Sequence, residues 1–265
     1  MNIPAHIEAG RGIPLVFLHG LGGGKEMWTT QLEHFAAQGY RAIAWDMPGY
    51  GASSAPDPFD FPTLANHLAA MLDHLKIERA ILVGHSMGGM VALEFYARYA
   101  VRVSAMILSG SSPAFGKADG TWQRDFIAAR LAPLDAGERM ADLAPSLVAN
   151  LVGSAADPAC VATCLAVMSR VPEATYRAAI RCLAAFDRRD VLEQIRVPCL
   201  ALAGGADRTA PPAVVRRMAE KIPGCVYREI AEAGHIANIE RPHEFNAELR
   251  AFLAAYAPAQ VALIN

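Results

Sequence analysis

Residues 81–90 read ILVGHSMGGM, and this stretch contains a serine between an apolar run and a helix-like segment. The run ends at Gly84 and the helix-like segment begins at Met87, so Ser86 lies at the turn between them. Glycines on both sides of the serine allow a strand and a helix to approach closely, because glycine has no Cβ atom. The pattern G-x-S-x-G in this context predicts a nucleophile elbow, with Ser86 exposed above the end of a buried strand. On its own, the pentapeptide is also compatible with a plain glycine-rich turn.

Apolar runs rich in Val, Ile and Leu recur along the chain and alternate with segments of helical period. Runs of this kind, closed by Gly, Pro or Asp, are typical of parallel strands that are covered on both faces. The expected strands are residues 5–8, 13–18, 40–45, 80–84, 103–109, 199–203 and 226–230. The expected helices are residues 28–38, 61–75, 87–99, 212–221 and 242–256. This order predicts an α/β fold with a mostly parallel, doubly wound sheet and right-handed crossovers.

Residues 111–189 interrupt the alternation, because they are rich in Ala, Leu and Met and contain no good candidate for a buried strand. Apolar residues recur there at i+3 and i+4, which predicts helices. Prolines expected at helix starts or turns are Pro133, Pro145, Pro158 and Pro172. We therefore expect a core formed by residues 1–110 and 190–265, and a helical insertion, residues 111–189, which is called the cap segment below.

Composition and charge exclude several classes of function. The 265-residue chain is 53% hydrophobic, which is sufficient for one large core. A formal net charge of -2 provides no basic face, so a nucleic-acid partner is not expected. The apolar segment 13–18 is too short for a signal peptide or a membrane span, which predicts a soluble, cytoplasmic protein with no membrane partner. Five cysteines without a C-x-x-C pair predict neither a disulfide framework nor a metal site.

A second glycine-rich segment, HGLGGGK at residues 19–25, follows the expected strand 13–18. Such a loop can direct the backbone N–H of Leu21 toward the space above Ser86. The N–H of Met87 points to the same space from the start of its helix. Leu21 and Met87 are therefore the predicted oxyanion hole.

A nucleotide-phosphate loop is the alternative for this glycine-rich segment, and its spacing does not fit. The P-loop pattern requires Gly at position 19 and Ser or Thr at position 26, where this sequence has His19 and Glu26. The dinucleotide pattern fails because Lys25 replaces its last glycine. His19 is expected to have a structural hydrogen-bonding role instead, and Asp46 is expected to shape a turn beside the site.

Asp207 and His235 each follow an expected strand, as Ser86 does. Because the carboxyl ends of parallel strands meet at one edge of a sheet, we expect these three side chains to lie together. In that arrangement His235 takes the proton of the serine hydroxyl, and Asp207 fixes the imidazole tautomer and stabilises its charged form. Their chain order, Ser, Asp, His, is used by one class of serine hydrolases. Considered singly, Asp207 is compatible with a helix cap and His235 with a surface turn.

Five segments together carry a resemblance to a known family: HGLGG (19–23), DMPGYGAS (46–53), GHSMGG (84–89), GGADRTAPP (204–212) and AGHIANIERP (233–242). With them the chain resembles the α/β-hydrolase superfamily over nearly its whole length. The phrases FDRRDVL, GGADRTAPP and HIANIERP are most similar to small bacterial esterases and lactonases, including 3-oxoadipate enol-lactonase-like proteins. The resemblance implies an α/β-hydrolase fold with a helical cap inserted after the family's sixth core strand, which corresponds here to residues 103–109.

The resemblance also implies a small-molecule substrate, a carboxylic ester or lactone, hydrolysed through an acyl-enzyme on Ser86 without a cofactor or metal. Serine at this position argues against haloalkane dehalogenases and epoxide hydrolases, which resemble the fold but use Asp. Two alternatives stay open. One is hydrolysis of a carbon–carbon bond in a meta-cleavage dienoate, although such enzymes often carry Asn where His85 stands. The other is a hydrolase-fold ligand receptor with little turnover, and the sequence leaves the oligomeric state open.

The cap segment is expected to lie over Ser86 and to line a substrate pocket. The candidate apolar lining residues are Trp122, Phe126, Met140, Leu147, Leu151 and Met168, with Phe115 and Phe186 near the two ends of the segment. Helical apolar stripes also pack internally, so each residue is compatible with a place in the core of the cap segment. A cap arginine that faces inward would pair with a substrate carboxylate; the candidates are Arg124, Arg130, Arg170, Arg177 and Arg181.

Overall fold

Seven strands form one sheet within residues 2–115 and 121–261, the part of the chain that the computed structural model describes; the side chains of residues 256–261 are not described. The strands are β1 (His6–Ala9), β2 (Ile13–Leu18), β3 (Tyr40–Trp45), β4 (Ala80–His85), β5 (Val103–Ser109), β6 (Cys199–Gly204) and β7 (Val226–Ile230). Their order is β1-β3-β2-β4-β5-β6-β7. β1 is antiparallel to β3 and the other neighbouring pairs are parallel, which confirms the predicted mostly parallel sheet.

Helices cover both faces of the sheet. Those outside the cap segment are α1 (Thr29–Ala36), α2 (Phe61–His74), α3 (Met87–Tyr99), α8 (Pro212–Lys221), α9 (Ala237–Glu240) and α10 (Pro242–Val261). α1 and α10 pack on one face, and α2, α3 and α8 pack on the other, as a doubly wound fold requires. None of the helices in the described part of the chain is long and apolar enough to cross a membrane.

Burial on both faces explains the continuous apolar runs of the sequence. In β2, Leu15 and Phe17 pack beneath α1 and α10, whereas Val16 and Leu18 pack into the core on the opposite face. All four side chains are fully buried. A strand covered in this way is apolar at every position and shows no alternation.

The cap segment lies between β5 and β6, and its described residues, 111–115 and 121–189, contain four α-helices. They are α4 (Thr121–Asp135), α5 (Met140–Leu151), α6 (Pro158–Met168) and α7 (Glu173–Ala184). α4 packs on α7 and α5 packs on α6. The two ends of the segment lie side by side, because the N–H of Phe115 donates to the carbonyl of Phe186 at 3.0 Å and the N–H of Arg188 donates to that of Pro113 at 2.7 Å.

The four prolines expected at helix starts or turns divide into two pairs. Pro158 is the first residue of α6 and Pro172 is the N-cap of α7, as expected. Pro133 and Pro145 lie inside α4 and α5, so the expected helix start or turn is wrong at those two positions. A proline removes one backbone hydrogen bond from a helix, and the buried side chains of the same helices supply the compensating packing energy.

Candidate active site

Ser86 lies between β4 and α3 with φ 52° and ψ -120°, a backbone conformation that residues with a side chain rarely adopt. Its N–H donates to the carbonyl oxygen of Ser109 at 2.8 Å, and its own carbonyl oxygen accepts from Ser111 Oγ at 2.8 Å. These bonds hold the strained turn in place. The turn presents the Ser86 hydroxyl at the carboxyl edge of the sheet.

The glycines around Ser86 permit a very close approach of strand and helix. A Cβ atom at Gly88 would lie 2.1 Å from the carbonyl oxygen of Leu18, and one at Gly84 would lie 2.5 Å from the Cα atom of Gly89. No side chain fits at these distances, so the geometry of the turn requires glycine at both positions.

The structure places the three residues expected at the sheet edge in one chain of hydrogen bonds. His235 Nε2 lies 2.9 Å from Ser86 Oγ, and His235 Nδ1 lies 2.7 Å from Asp207 Oδ2. Asp207 follows β6 and His235 follows β7, and both side chains are buried. This arrangement can move a proton from the serine hydroxyl to the imidazole.

Asp207 is held as an anion by its hydrogen bonds. Burial tends to raise the pKa of its carboxyl group, but the hydrogen bond from His235 and those from the backbone N–H groups of Ala210 and Thr209 outweigh burial and lower the pKa. The two amides donate to Oδ1 at 2.9 Å and 2.7 Å. The remaining oxygen, Oδ2, is therefore free to orient the His235 ring.

The backbone N–H groups of Leu21 and Met87 form the predicted oxyanion hole. Within the described residues, neither N–H has a hydrogen-bond acceptor. The N–H of Met87 is the first of α3, where no acceptor exists within the helix. Leu21 and Ser86 line the same cavity. Met87 follows Ser86 in the chain and is not among the residues that line the cavity, so its part in an oxyanion hole with Leu21 stays a prediction.

Two side chains fix the loop that carries Leu21. The N–H of Met47 donates to His19 Nε2 at 2.9 Å, so the ring proton of His19 is on Nδ1, which donates to the carbonyl oxygen of Gly20 at 2.8 Å. Burial lowers the pKa of this ring, which keeps it neutral. Asp46 accepts from the N–H of Lys25 at 3.0 Å and forms an ion pair with its ammonium group. His19 and Asp46 thus tie the glycine-rich loop to the turn after β3.

His85 is a second imidazole beside the hydrogen-bonded chain. Its ring centroid lies 4.8 Å from that of His235. Burial, and secondly the nearby His235, lower the pKa of His85 to about 3. His85 is therefore uncharged at neutral pH and adds no positive charge next to His235.

A cavity of about 460 Å³ lies over Ser86 and is lined by both the core and the cap segment. Six of the expected apolar residues line it: Phe115, Trp122, Phe126, Leu147, Leu151 and Met168. Two do not. Met140 is the first residue of α5 and is buried in the shared apolar core, and Phe186 packs against Phe61 at a ring distance of 4.3 Å. Their helical spacing matches that of the lining residues, so the sequence could not separate the two groups.

Of the five candidate cap arginines, Arg130 lines the cavity. Its guanidinium lies over the ring of Phe126 at 5.3 Å from the centroid. Arg177 pairs with Asp135 and Glu173 outside the cavity. The other three are exposed and do not line it: Arg124, Arg170 and Arg181.

Sequence reasoning missed several residues of the site, among them Tyr176, Arg208 and Glu240. Tyr176 and Arg208 also line the cavity, and Glu240 is buried behind His235. Arg208 directly follows Asp207, which is the signal that could have identified it. Glu240 lies within the quoted segment 233–242, but a carboxylate in a helix pattern gives no sign that it is buried.

Metal-ligating groups are not clustered in the described part of the chain. No set of three or more His, Cys, Asp or Glu side chains within those residues could hold a metal ion. The five cysteines are free thiols.

Comparison with known proteins identifies the fold family of the chain. A family model of the alpha/beta hydrolase fold matches residues 13–242. 3-Oxoadipate enol-lactonase 2 of Acinetobacter baylyi is 28% identical over 91% of this chain and 89% of its own length. A Mycobacterium tuberculosis protein, provisionally named a non-heme bromoperoxidase, is 29% identical over 95% of this chain and 97% of its own length. A thermophilic esterase from Thermogutta terrifontis, solved with malate bound, has a TM-score of 0.85 at 26% identity, over 95% of this chain and 93% of the esterase chain.

Proposed function

Because the chain belongs to the alpha/beta hydrolase fold family, we propose that it is a serine hydrolase that cleaves a small carboxylic ester or lactone through an acyl-enzyme on Ser86. The observation that carries the proposal is the hydrogen-bonded chain of Ser86, His235 and Asp207 at the wall of a largely apolar cavity. Enzymes named as an esterase and an enol-lactonase are similar to the chain over most of its length.

In the first half of the reaction, Ser86 Oγ attacks the carbonyl carbon of the substrate while His235 Nε2 accepts the hydroxyl proton. Negative charge develops on the carbonyl oxygen, and the N–H groups of Leu21 and Met87 stabilise it. Asp207 stabilises the positive charge on the imidazole. His235 then donates the proton to the leaving oxygen, which departs as an alcohol or, in a lactone, stays tethered to the acyl group.

In the second half, water takes the place of the leaving group. His235 accepts a proton from the water as the water oxygen attacks the acyl carbon, and the oxyanion donors act again. Collapse of the intermediate breaks the bond to Ser86 Oγ, which regains its proton from His235. The products are the free acid and the regenerated hydroxyl.

Replacement of the nucleophile tests the mechanism. We expect Ser86→Ala to lower kcat on p-nitrophenyl acetate by about four orders of magnitude or more, because the acyl-enzyme cannot form. Intact-protein mass spectrometry should detect stoichiometric fluorophosphonate labelling of the wild type and none of the variant. Full activity of Ser86→Ala would overturn the proposal. Labelling of Ser86 without turnover of any ester or lactone would favour a ligand receptor, and hydrolysis of a meta-cleavage dienoate alone would favour carbon–carbon bond cleavage.

The charges around the cavity favour a substrate that carries a carboxylate. Within the described residues, no Asp or Glu lines the cavity, whereas Arg130 and Arg208 do. Neither guanidinium lies within 4.0 Å of a described carboxylate. Arg130 lies on the aromatic ring of Phe126, beside Tyr176. A planar guanidinium in this position can form two parallel hydrogen bonds with a substrate carboxylate.

A substrate panel with and without a carboxylate tests this specificity. We expect Arg130→Gln to lower kcat/KM for anionic esters and lactones by about 10- to 100-fold, the range for a lost charge-assisted hydrogen bond. Neutral substrates of the same size should change little. Arg124→Gln is the matched control, because Arg124 is on the same helix and exposed. An equal loss on neutral and anionic substrates would rule out carboxylate recognition by Arg130.

A further inference from the structure

Glu240 ends α9 and is a buried carboxylate that bonds backbone amides of two different parts of the chain. Its Oε2 accepts from the N–H of Gly153 at 2.7 Å and from the N–H of Gly234 at 3.0 Å. Its Oε1 accepts from the N–H of Ile236 at 3.0 Å. The residue is 5% exposed. Within the described residues no Lys, Arg or His nitrogen lies within 4.0 Å of its carboxylate, so these amides are what stabilises its charge.

The three amides belong to two segments, the loop that carries His235 and the cap segment, and Glu240 connects them. Gly234 and Ile236 are the two neighbours of His235, so the carboxylate fixes the backbone on both sides of that imidazole. Gly153 follows α5 in the cap segment. The N–H of His235 itself donates to the carbonyl oxygen of Leu151 at 2.6 Å, beside the same junction.

The junction is packed backbone against backbone. A Cβ atom at Gly234 would lie 2.3 Å from the nitrogen of Gly153, and one at Gly153 would lie 2.7 Å from the carbonyl oxygen of Glu232. Leu151, at the end of α5, also lines the cavity. A displacement of the end of α5 therefore moves the His235 backbone and the cavity wall together.

We propose that Glu240 is a positioning residue for His235, which couples the seating of the cap segment to the alignment of the imidazole with Ser86. It touches neither substrate nor reacting atoms and acts through the amides of Gly153, Gly234 and Ile236. This role rests on the proposed function of Ser86 and His235. It also gives the cap segment a part in the chemical step, in addition to its part in forming the cavity.

The substitution Glu240→Gln removes the negative charge and keeps the size of the side chain nearly the same. In Glu240→Gln one oxygen becomes an NH2 group, which faces an amide donor and cannot accept from it. Glu244→Gln is the matched control, because Glu244 is exposed, four residues further along. Gly153→Ala tests the junction from the cap side, since its methyl would lie 2.7 Å from the carbonyl oxygen of Glu232 and 3.2 Å from Glu240 Oε2.

The experiment compares the three purified variants with the wild type after circular dichroism has verified folding. The first measurement is kcat and KM on p-nitrophenyl acetate. The second is the low-field proton NMR signal of the His235–Asp207 hydrogen bond, which requires no turnover. The third is hydrogen exchange of the peptides that contain Gly153 and Gly234.

We expect Glu240→Gln and Gly153→Ala to lower kcat by about 10- to 100-fold, the cost of a misplaced catalytic group, with KM nearly unchanged in Glu240→Gln. The NMR signal should weaken and exchange at Gly153 and Gly234 should rise, while Glu244→Gln behaves as wild type. Wild-type kcat with an intact NMR signal in Glu240→Gln would overturn the proposal. So would a change in KM alone. If the wild type hydrolyses no ester or lactone, the proposed function fails, and the NMR and exchange data still decide whether Glu240 positions His235.

Discussion

Close contacts of single atoms decide the geometry at Ser86. Gly88 has only a hydrogen atom where other residues have a Cβ atom. A Cβ atom there would lie 2.1 Å from the Leu18 carbonyl oxygen. The consequence for the site is direct, because α3 begins at Met87 and its position relative to β2 sets the position of the serine hydroxyl. A serine with φ 52° is compatible with the fold only while this packing is intact.

Adding one methyl group at this position tests the argument. We expect Gly88→Ala to lower the free energy of unfolding by about 1–3 kcal/mol, the usual cost of overpacking, and to lower kcat because Ser86 moves relative to His235. Urea denaturation and esterase assays measure the two effects. Gly205→Ala is the control, because the nearest atoms to its methyl would be at 3.3 Å. A Gly88→Ala variant as stable as the control would contradict the tight packing.

The secondary-structure elements were predictable where burial is uniform along them. The structure has β2, β3 and β5 with the predicted bounds, because strands that are largely buried leave apolar runs in the sequence. β7 also has the predicted bounds, although it is an edge strand with Arg228 and Glu229 exposed. The residues at the strand ends were predictable for the same reason, since the positions of Ser86, Asp207 and His235 follow from the strands before them. The four-residue α9 was missed, because one turn of helix has no apolar period.

Within the cap segment, the sequence predicted helices but not their orientation. Met168 lines the cavity and Met140 does not, although both lie in helices and are buried. Arg130 faces the cavity and Arg124 does not, although the same side chain lies six residues away on one helix. These differences depend on how the four helices pack on each other, and local propensity contains no information on that packing.

Buried titratable side chains at the site make the free energy of unfolding depend on pH. His85 has a pKa of about 3 in the fold, against an ordinary value of 6.5, so between these pH values the unfolded chain binds a proton that the native protein does not. The free energy of unfolding therefore decreases as the pH falls through this range. The lowered pKa values of His19 and Asp207 act in the same direction.

Removing the His85 imidazole should weaken this dependence. We expect the free energy of unfolding of His85→Gln to vary less than that of the wild type between about pH 6.5 and about pH 4, by up to about 1.4 kcal/mol per pH unit. Urea denaturation across this range measures the slope. His74→Gln is the control, because His74 is exposed in the native protein. Equal slopes for His85→Gln and the wild type would show that the buried ring does not govern acid sensitivity.

The ends of the cap segment lie next to each other, with a hydrogen bond of 3.0 Å from Phe115 to Phe186. A segment with adjoining ends can be replaced by another of different length without redirecting the chain on either side. Exchange at these two adjoining ends can therefore graft a foreign segment onto this core. Such a chimera keeps Ser86, Asp207 and His235, which lie outside the exchanged segment, and retains their alignment only if the new segment reproduces the contacts of Leu151 and Gly153 with the loop that carries His235.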